Sequence, residues 1–135
     1  MANAVYPKYK EALISGSSNI SLSSGNVKAI LVDTADYTYS SAHDFLDDVP
    51  GGAIVATSSN LGTKTVTNGV FDSADFTFSA VTGDQSEALI LYIDTGSSAT
   101  SRLVAYIDTG VTGLPVTPNG GDINVTVNAS GWFAL

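Results

Sequence analysis

Residues 87–108 read EALILYIDTGSSATSRLVAYID, and this stretch decides the fold. Glu87–Asp94 and Arg102–Asp108 are apolar runs of strand length, too short for helices, joined by the small polar segment Gly96–Ser101. Such a pattern predicts two buried strands forming an antiparallel hairpin. The hairpin echoes itself: Tyr92-Ile93-Asp94-Thr95-Gly96 recurs as Tyr106-Ile107-Asp108-Thr109-Gly110. Two neighbouring strands of similar environment, each ended by a turn, account for the echo without a repeat architecture.

Working outward, Val27–Asp33 (VKAILVD) is another buried-strand candidate, and Ala53–Thr57 a shorter one. Lys64–Thr67 and Val70–Asp72 flank Asn68-Gly69, the dipeptide that favours a two-residue hairpin turn because both positions tolerate positive φ. Asp75–Val81 alternates, with Phe76, Phe78 and Ala80 on one face. Leu114–Val116 and Asp122–Val127 are further strands, a short one is expected at Ile20–Leu22, and Trp132-Phe133 closes the chain. Helix signals are sparse. Pro7 suits the first position of a helix over 7–15 (PKYKEALIS), and Gly16 suits the residue past its end. Residues 41–48 suggest one more helical turn, capped by Ser41 and ended by Pro50-Gly51-Gly52. About eight short strands with turn signals between them predict an all-β chain: a single jelly-roll-like β-sandwich over 17–135, preceded by an N-terminal arm with a short helix over 1–16.

Composition narrows the function. The chain has 135 residues, of which 44% are apolar and only 13% charged. That charge content is about half the usual ~25%. The net charge of −8 argues against a nucleic-acid or anionic-membrane partner, since both need clustered Lys and Arg. With no cysteine, disulfides, thiolate catalysis and cysteine-held zinc are excluded. Lys8, Lys10 and Glu11 stand where a signal peptide would be apolar, so synthesis in the cytoplasm is expected.

The one motif that suggests chemistry is Asp-Thr-Gly, present at 94–96 and 108–110, which resembles the aspartic-protease triplet. That chemistry needs two carboxylates about 3 Å apart sharing a proton. In an antiparallel hairpin Asp94 lies beside the connecting loop and Asp108 at the far end, roughly 20 Å away at ~3.4 Å per residue. The triplets are therefore read as strand ends. His43, the single histidine, has Ser41 and Asp44 beside it in sequence, but a triad converges from separate segments. The acids Asp33, Asp36, Asp44, Asp47 and Asp48, and the pair Asp72 and Asp75, are read as turn acids; no EF-hand loop holds them. No cofactor, metal or catalytic group is expected, and the chain is read as a non-enzyme.

In segment order the chain resembles a family of small virion proteins of tailed phages. The resembling stretches are 9–13 (YKEAL), 27–39 (VKAILVDTADYTY), 43–46 (HDFL), 66–71 (VTNGVF), 81–89 (VTGDQSEAL) and 114–122 (LPVTPNGGD). The resemblance implies a capsid cement, or decoration, protein: a homo-oligomer (dimer or trimer) on the outer surface of the phage head, tying major capsid subunits together. A tail-tube, tail-tip or fibre-base protein is the alternative, and a carbohydrate- or ligand-binding sandwich, with Trp132 as platform, a second. Whichever holds, function is expected in surfaces. Lys8 and Lys10 are two of only five bases and flank Tyr9, with Tyr6 nearby. Tyr6, Lys8, Tyr9 and Lys10 form one partner-binding candidate, tyrosine being favoured at interfaces. The competing reading is that Tyr6, Tyr9 and Leu13 cover one end of the sandwich. Asp44, Asp47 and Asp48, on a turn expected to project, form the other candidate. Asp94 is expected to pair with Arg102 across the hairpin.

Overall fold

The expected hairpin lies at the centre of the molecule. In the computed structural model, which describes residues 3–135, Ala88–Asp94 pairs antiparallel with Arg102–Ile107, and Ala88–Asp94 pairs on its other side with Asn26–Val32. In chain order the elements are β1 (Ala4–Val5), α1 (Pro7–Ser15), β2 (Asn26–Val32), β3 (Ile54–Thr57), β4 (Thr65–Thr67), β5 (Val70–Asp72), β6 (Phe76–Phe78), β7 (Ala88–Asp94), β8 (Arg102–Ile107), β9 (Ile123–Val125) and β10 (Phe133–Ala134). They build three antiparallel sheets, ordered β1-β8-β7-β2-β3, β10-β5-β4 and β6-β9. The fold is all-β.

The continuous apolar runs of β2, β7 and β8 are explained by burial on both faces of the main sheet. Every residue from Ala88 to Ile93 and from Leu103 to Ile107 is buried. On one face, Tyr106 meets the rings of Tyr37 and Tyr39, with centroids 6.4 and 5.5 Å away. Tyr39 in turn meets Tyr6 at 5.1 Å. On the other face, Leu31 borders Ile123 and Val125 of β9, and Ile107 borders Val127, Trp132 and Phe133. One hydrophobic core joins all three sheets, with Phe71 and Phe78 brought in from the smaller ones.

Local signals behave as their chemistry requires. Helix α1 has Pro7 at its start and ends at Gly16, whose φ of 68° is left-handed. The Gly16 N–H donates to the Leu13 carbonyl and the Ser17 N–H to the Ala12 carbonyl, the bonding of a Schellman stop. Asn68 and Gly69 both take positive φ, 53° and 78°, and close the β4–β5 turn. Asp94 and Asp108 fall at opposite ends of the β7–β8 hairpin, because Ile93 pairs with Arg102 and Leu89 with Ile107.

Other expectations are corrected. Leu114–Val116 makes only a single bridge, Val116 to Ser86, around a cis Leu114–Pro115 bond. Ile20–Leu22 is not a strand. The phenylalanine strand stops at Phe78, because Ala80 turns to positive φ and its N–H goes to the Asp122 side chain. In place of a helical turn over 41–48 there are two short 3₁₀ turns, Leu46–Asp48 and Gly51–Ala53, so Gly51-Gly52 forms part of a turn instead of ending one. Strands β1 and β10 went unforeseen at two residues each.

Candidate functional site

The N-terminal candidate divides into a buried half and an exposed half. Tyr6 and Tyr9 are 0% and 1% exposed, so neither ring is offered to a partner. Strand β1 pairs with β8, and the Tyr6 N–H donates to the Val104 carbonyl, which anchors the start of the helix. The Tyr9 hydroxyl donates to the Ile20 carbonyl at 2.8 Å. Burial raises both phenols, that of Tyr9 to about 12. The reading in which these tyrosines cover the body thus describes their position; residues 1 and 2 lie outside the described residues. Lys8 is held by Glu11 at 3.2 Å. Lys10 is exposed and borders a groove with Val5, Leu13, Ile14, Ala134 and Leu135. Ile14 stands 88% exposed on the same helix face.

The acidic candidate is docked where a projecting turn was expected. The Leu46 N–H donates to the Ser101 carbonyl, the Asp47 N–H to Ser98, and the Leu103 N–H to the Asp44 carbonyl. Arg102 lies over the Phe45 ring, 5.0 Å from its centroid. The Asp48 carboxylate folds back onto its own turn, accepting from the Asp44 N–H at 2.8 Å and the Phe45 N–H at 3.4 Å. Burial pushes Asp48 up, but these backbone donors outweigh it and hold the group below its ordinary value. Burial and the neighbouring Asp48 carboxylate push Asp44 up. Asp48 is thus a structural capping group, Asp44 is half-buried, and Asp47 faces solvent.

Asp94 is paired, but with Lys28. The two side chains meet at 3.0 Å, while Oδ1 of Asp94 accepts from the Gly96 N–H at 3.1 Å. The Lys28 ammonium and the Gly96 N–H hold Asp94 below its usual range. The register explains the exchange of partner. Arg102 is opposite Ile93, so Asp94, one residue on, points to the other face. Lys28 lies diagonal to Asp94, which is opposite Asn26. Arg102 donates instead to the Ser18 and Asn19 carbonyls.

Two groupings went unread in the sequence. A hydrogen-bonded chain runs from the Tyr6 hydroxyl to that of Tyr37 (2.8 Å) and on to Nδ1 of His43 (2.8 Å), which gives His43 a structural partner. Burial pushes the Tyr37 phenol up to about 12. Beside this chain a groove of about 420 Å³ is lined by Tyr37, Tyr39, Tyr106, Glu87, Asp108 and Thr34. Burial, then the Asp108 and Glu87 carboxylates, raises the Tyr106 phenol. The second grouping is Asp33, Asp36 and Asp84, whose carboxylate oxygens lie within 4.8 Å of one another and could hold a cation. The sequence placed Asp33 and Asp36 with the acids at 44–48. The fold instead brings in Asp84, from a turn some fifty residues away along the chain.

Among the described residues no helix is long and apolar enough to cross a membrane. No family model matches this chain, and no curated protein matches it.

Proposed function

We propose that this chain is a capsid cement protein, binding the outer surface of a tailed-phage head as a homo-oligomer and bridging major capsid subunits. In this reading the three sheets form a jelly-roll-like body. The sequence resemblance along most of the chain supports it. The structural observation that carries it is the outer face of α1. Because Tyr6 and Tyr9 fix the helix to the body, Lys10 and Ile14 are presented on ordered backbone, around an apolar groove. Binding through a pre-ordered face avoids the entropic cost of ordering an arm. The same face carries Lys10, with no acidic residue among the described residues lining the groove, in a chain with net charge −8, so it is where an acidic or neutral shell surface meets least repulsion.

The test is occupancy on capsids that lack the protein. The double variant Lys8→Glu/Lys10→Glu, and separately Ile14→Asp, should fold normally and lose about tenfold or more in affinity, the effect of roughly 1.4 kcal/mol or greater. Unchanged occupancy in both would overturn the assigned face. Particle reconstruction decides the location: density on the head supports cement, and density confined to the tail overturns it.

A further inference from the structure

We propose that the groove beside Tyr39 is a binding site for a guanidinium group, an arginine side chain supplied by a partner protein. The inference does not depend on where on a virion, or elsewhere, the protein works.

Three features coincide there. First, the volume of about 420 Å³ lies within the range of small-ligand sites. Second, the Tyr39 ring is half-exposed and held from two sides by Tyr6 and Tyr106, at centroid distances of 5.1 and 5.5 Å. A fixed, accessible aromatic face attracts a planar cation laid over it. Third, the Glu87 carboxylate is positioned by the Thr34 N–H (2.9 Å) and the Thr34 hydroxyl (3.0 Å), and both bonds fall on Oε1. Among the described residues Oε2 accepts no hydrogen bond, so it can take a further donor. The five lysine and arginine side chains are all placed elsewhere. Lys8 is on Glu11, Lys28 on Asp94, Lys64 on the Gly25 carbonyl, Arg102 on the Ser18 and Asn19 carbonyls, and Lys10 in the helix groove.

Guanidinium fits this combination better than ammonium. It is flat, so it stacks on Tyr39, and its forked donors suit a carboxylate lining the same groove. The molecule already makes one such contact internally, Arg102 over Phe45.

The test is a ¹H–¹⁵N titration of the whole chain with N-acetyl-argininamide, and in parallel with N-acetyl-citrullinamide, its uncharged isostere. The expected result is saturable shifts at Thr34, Tyr39 and Glu87, with a Kd on the order of 1–10 mM for the arginine probe and at least about tenfold weaker binding of citrulline. Glu87→Gln retains an Oε1 acceptor for Thr34 and should weaken arginine binding about fivefold or more. Tyr39→Leu, which keeps an apolar side chain, should do the same. Equal affinity for the two probes, no saturable shift at the arginine concentrations tested, or full affinity in both variants would each overturn the proposal.

Discussion

At the scale of single residues, Tyr37 and Asp94 make the sharpest claims. Tyr37 is the middle member of the Tyr6–Tyr37–His43 chain and is almost fully buried. Tyr37→Phe strands partners on both sides, whereas Tyr6→Phe removes an end and leaves the Tyr37–His43 bond intact. An unsatisfied buried group costs about 1–3 kcal/mol, and a lost bond whose partner stays satisfied about 1. Urea denaturation should therefore rank Tyr37→Phe as the more destabilising change. Asp94 gives a pH signature. Its pKa is lowered in the folded state, so its contribution is complete above the ordinary carboxylate range and drains away as pH falls through the folded value. Lys28 and Asp94 are each about a quarter exposed, which limits the pair to about 0.5–1 kcal/mol. Asp94→Asn should cost that much at neutral pH and nothing below the folded pKa, where the wild-type carboxyl is protonated too. A gap in unfolding free energy that persists in acid would refute the assignment.

At the scale of elements, what could be read in the sequence follows the range of the forces involved. The β7–β8 hairpin, the Asn68-Gly69 turn and both ends of α1 were legible, because each is set by side chains within a few residues. Strands β1 and β10 were not, since two residues carry no periodicity and pair only because β8 and β5 offer open edges. The candidate sites show the same division. Tyr6, Lys8, Tyr9 and Lys10 looked like one cluster, yet tertiary packing divides it between core and surface. The Tyr39 groove collects residues from three distant segments and left no local signal. Strand β10 also supplies a test. Gly131, at φ 91°, precedes it, and a Cβ there would lie 2.7 Å from the Val70 side chain and 2.8 Å from the Phe71 carbonyl. The Trp132 N–H donates to that same carbonyl, and its indole N–H to Ser73. Gly131→Ala therefore cannot keep β10 on β5. A loss of about 2 kcal/mol or more is expected from combined strain and overpacking, with Trp132 fluorescence moving to the red as the ring enters water.

At the scale of the whole molecule, the question is whether the N-terminal segment is an appendage or part of the body. An appendage could be cut away without harm to the fold, and the sequence alone left that possibility open. The packing answers otherwise. Residues 4–9 supply a strand paired to β8 and two of the largest fully buried side chains, Tyr6 and Tyr9. Burying an aromatic side chain is worth about 1.5–3 kcal/mol, and a domain's net stability is only about 5–15 kcal/mol. Deleting residues 2–10 would remove both rings, the β1 ladder and the first turn of α1, and would open the Tyr37–Tyr39–Tyr106 face to water. The deletion should abolish a cooperative thermal transition, or lower it by many degrees, before any partner is added. Lys8→Glu/Lys10→Glu leaves the core untouched and breaks only the exposed Lys8–Glu11 pair, so its melting temperature should stay close to wild type. Circular dichroism melts of the two variants side by side separate the cases. If the deletion variant melts like wild type, the segment is an arm after all and the tyrosines contribute nothing to the core.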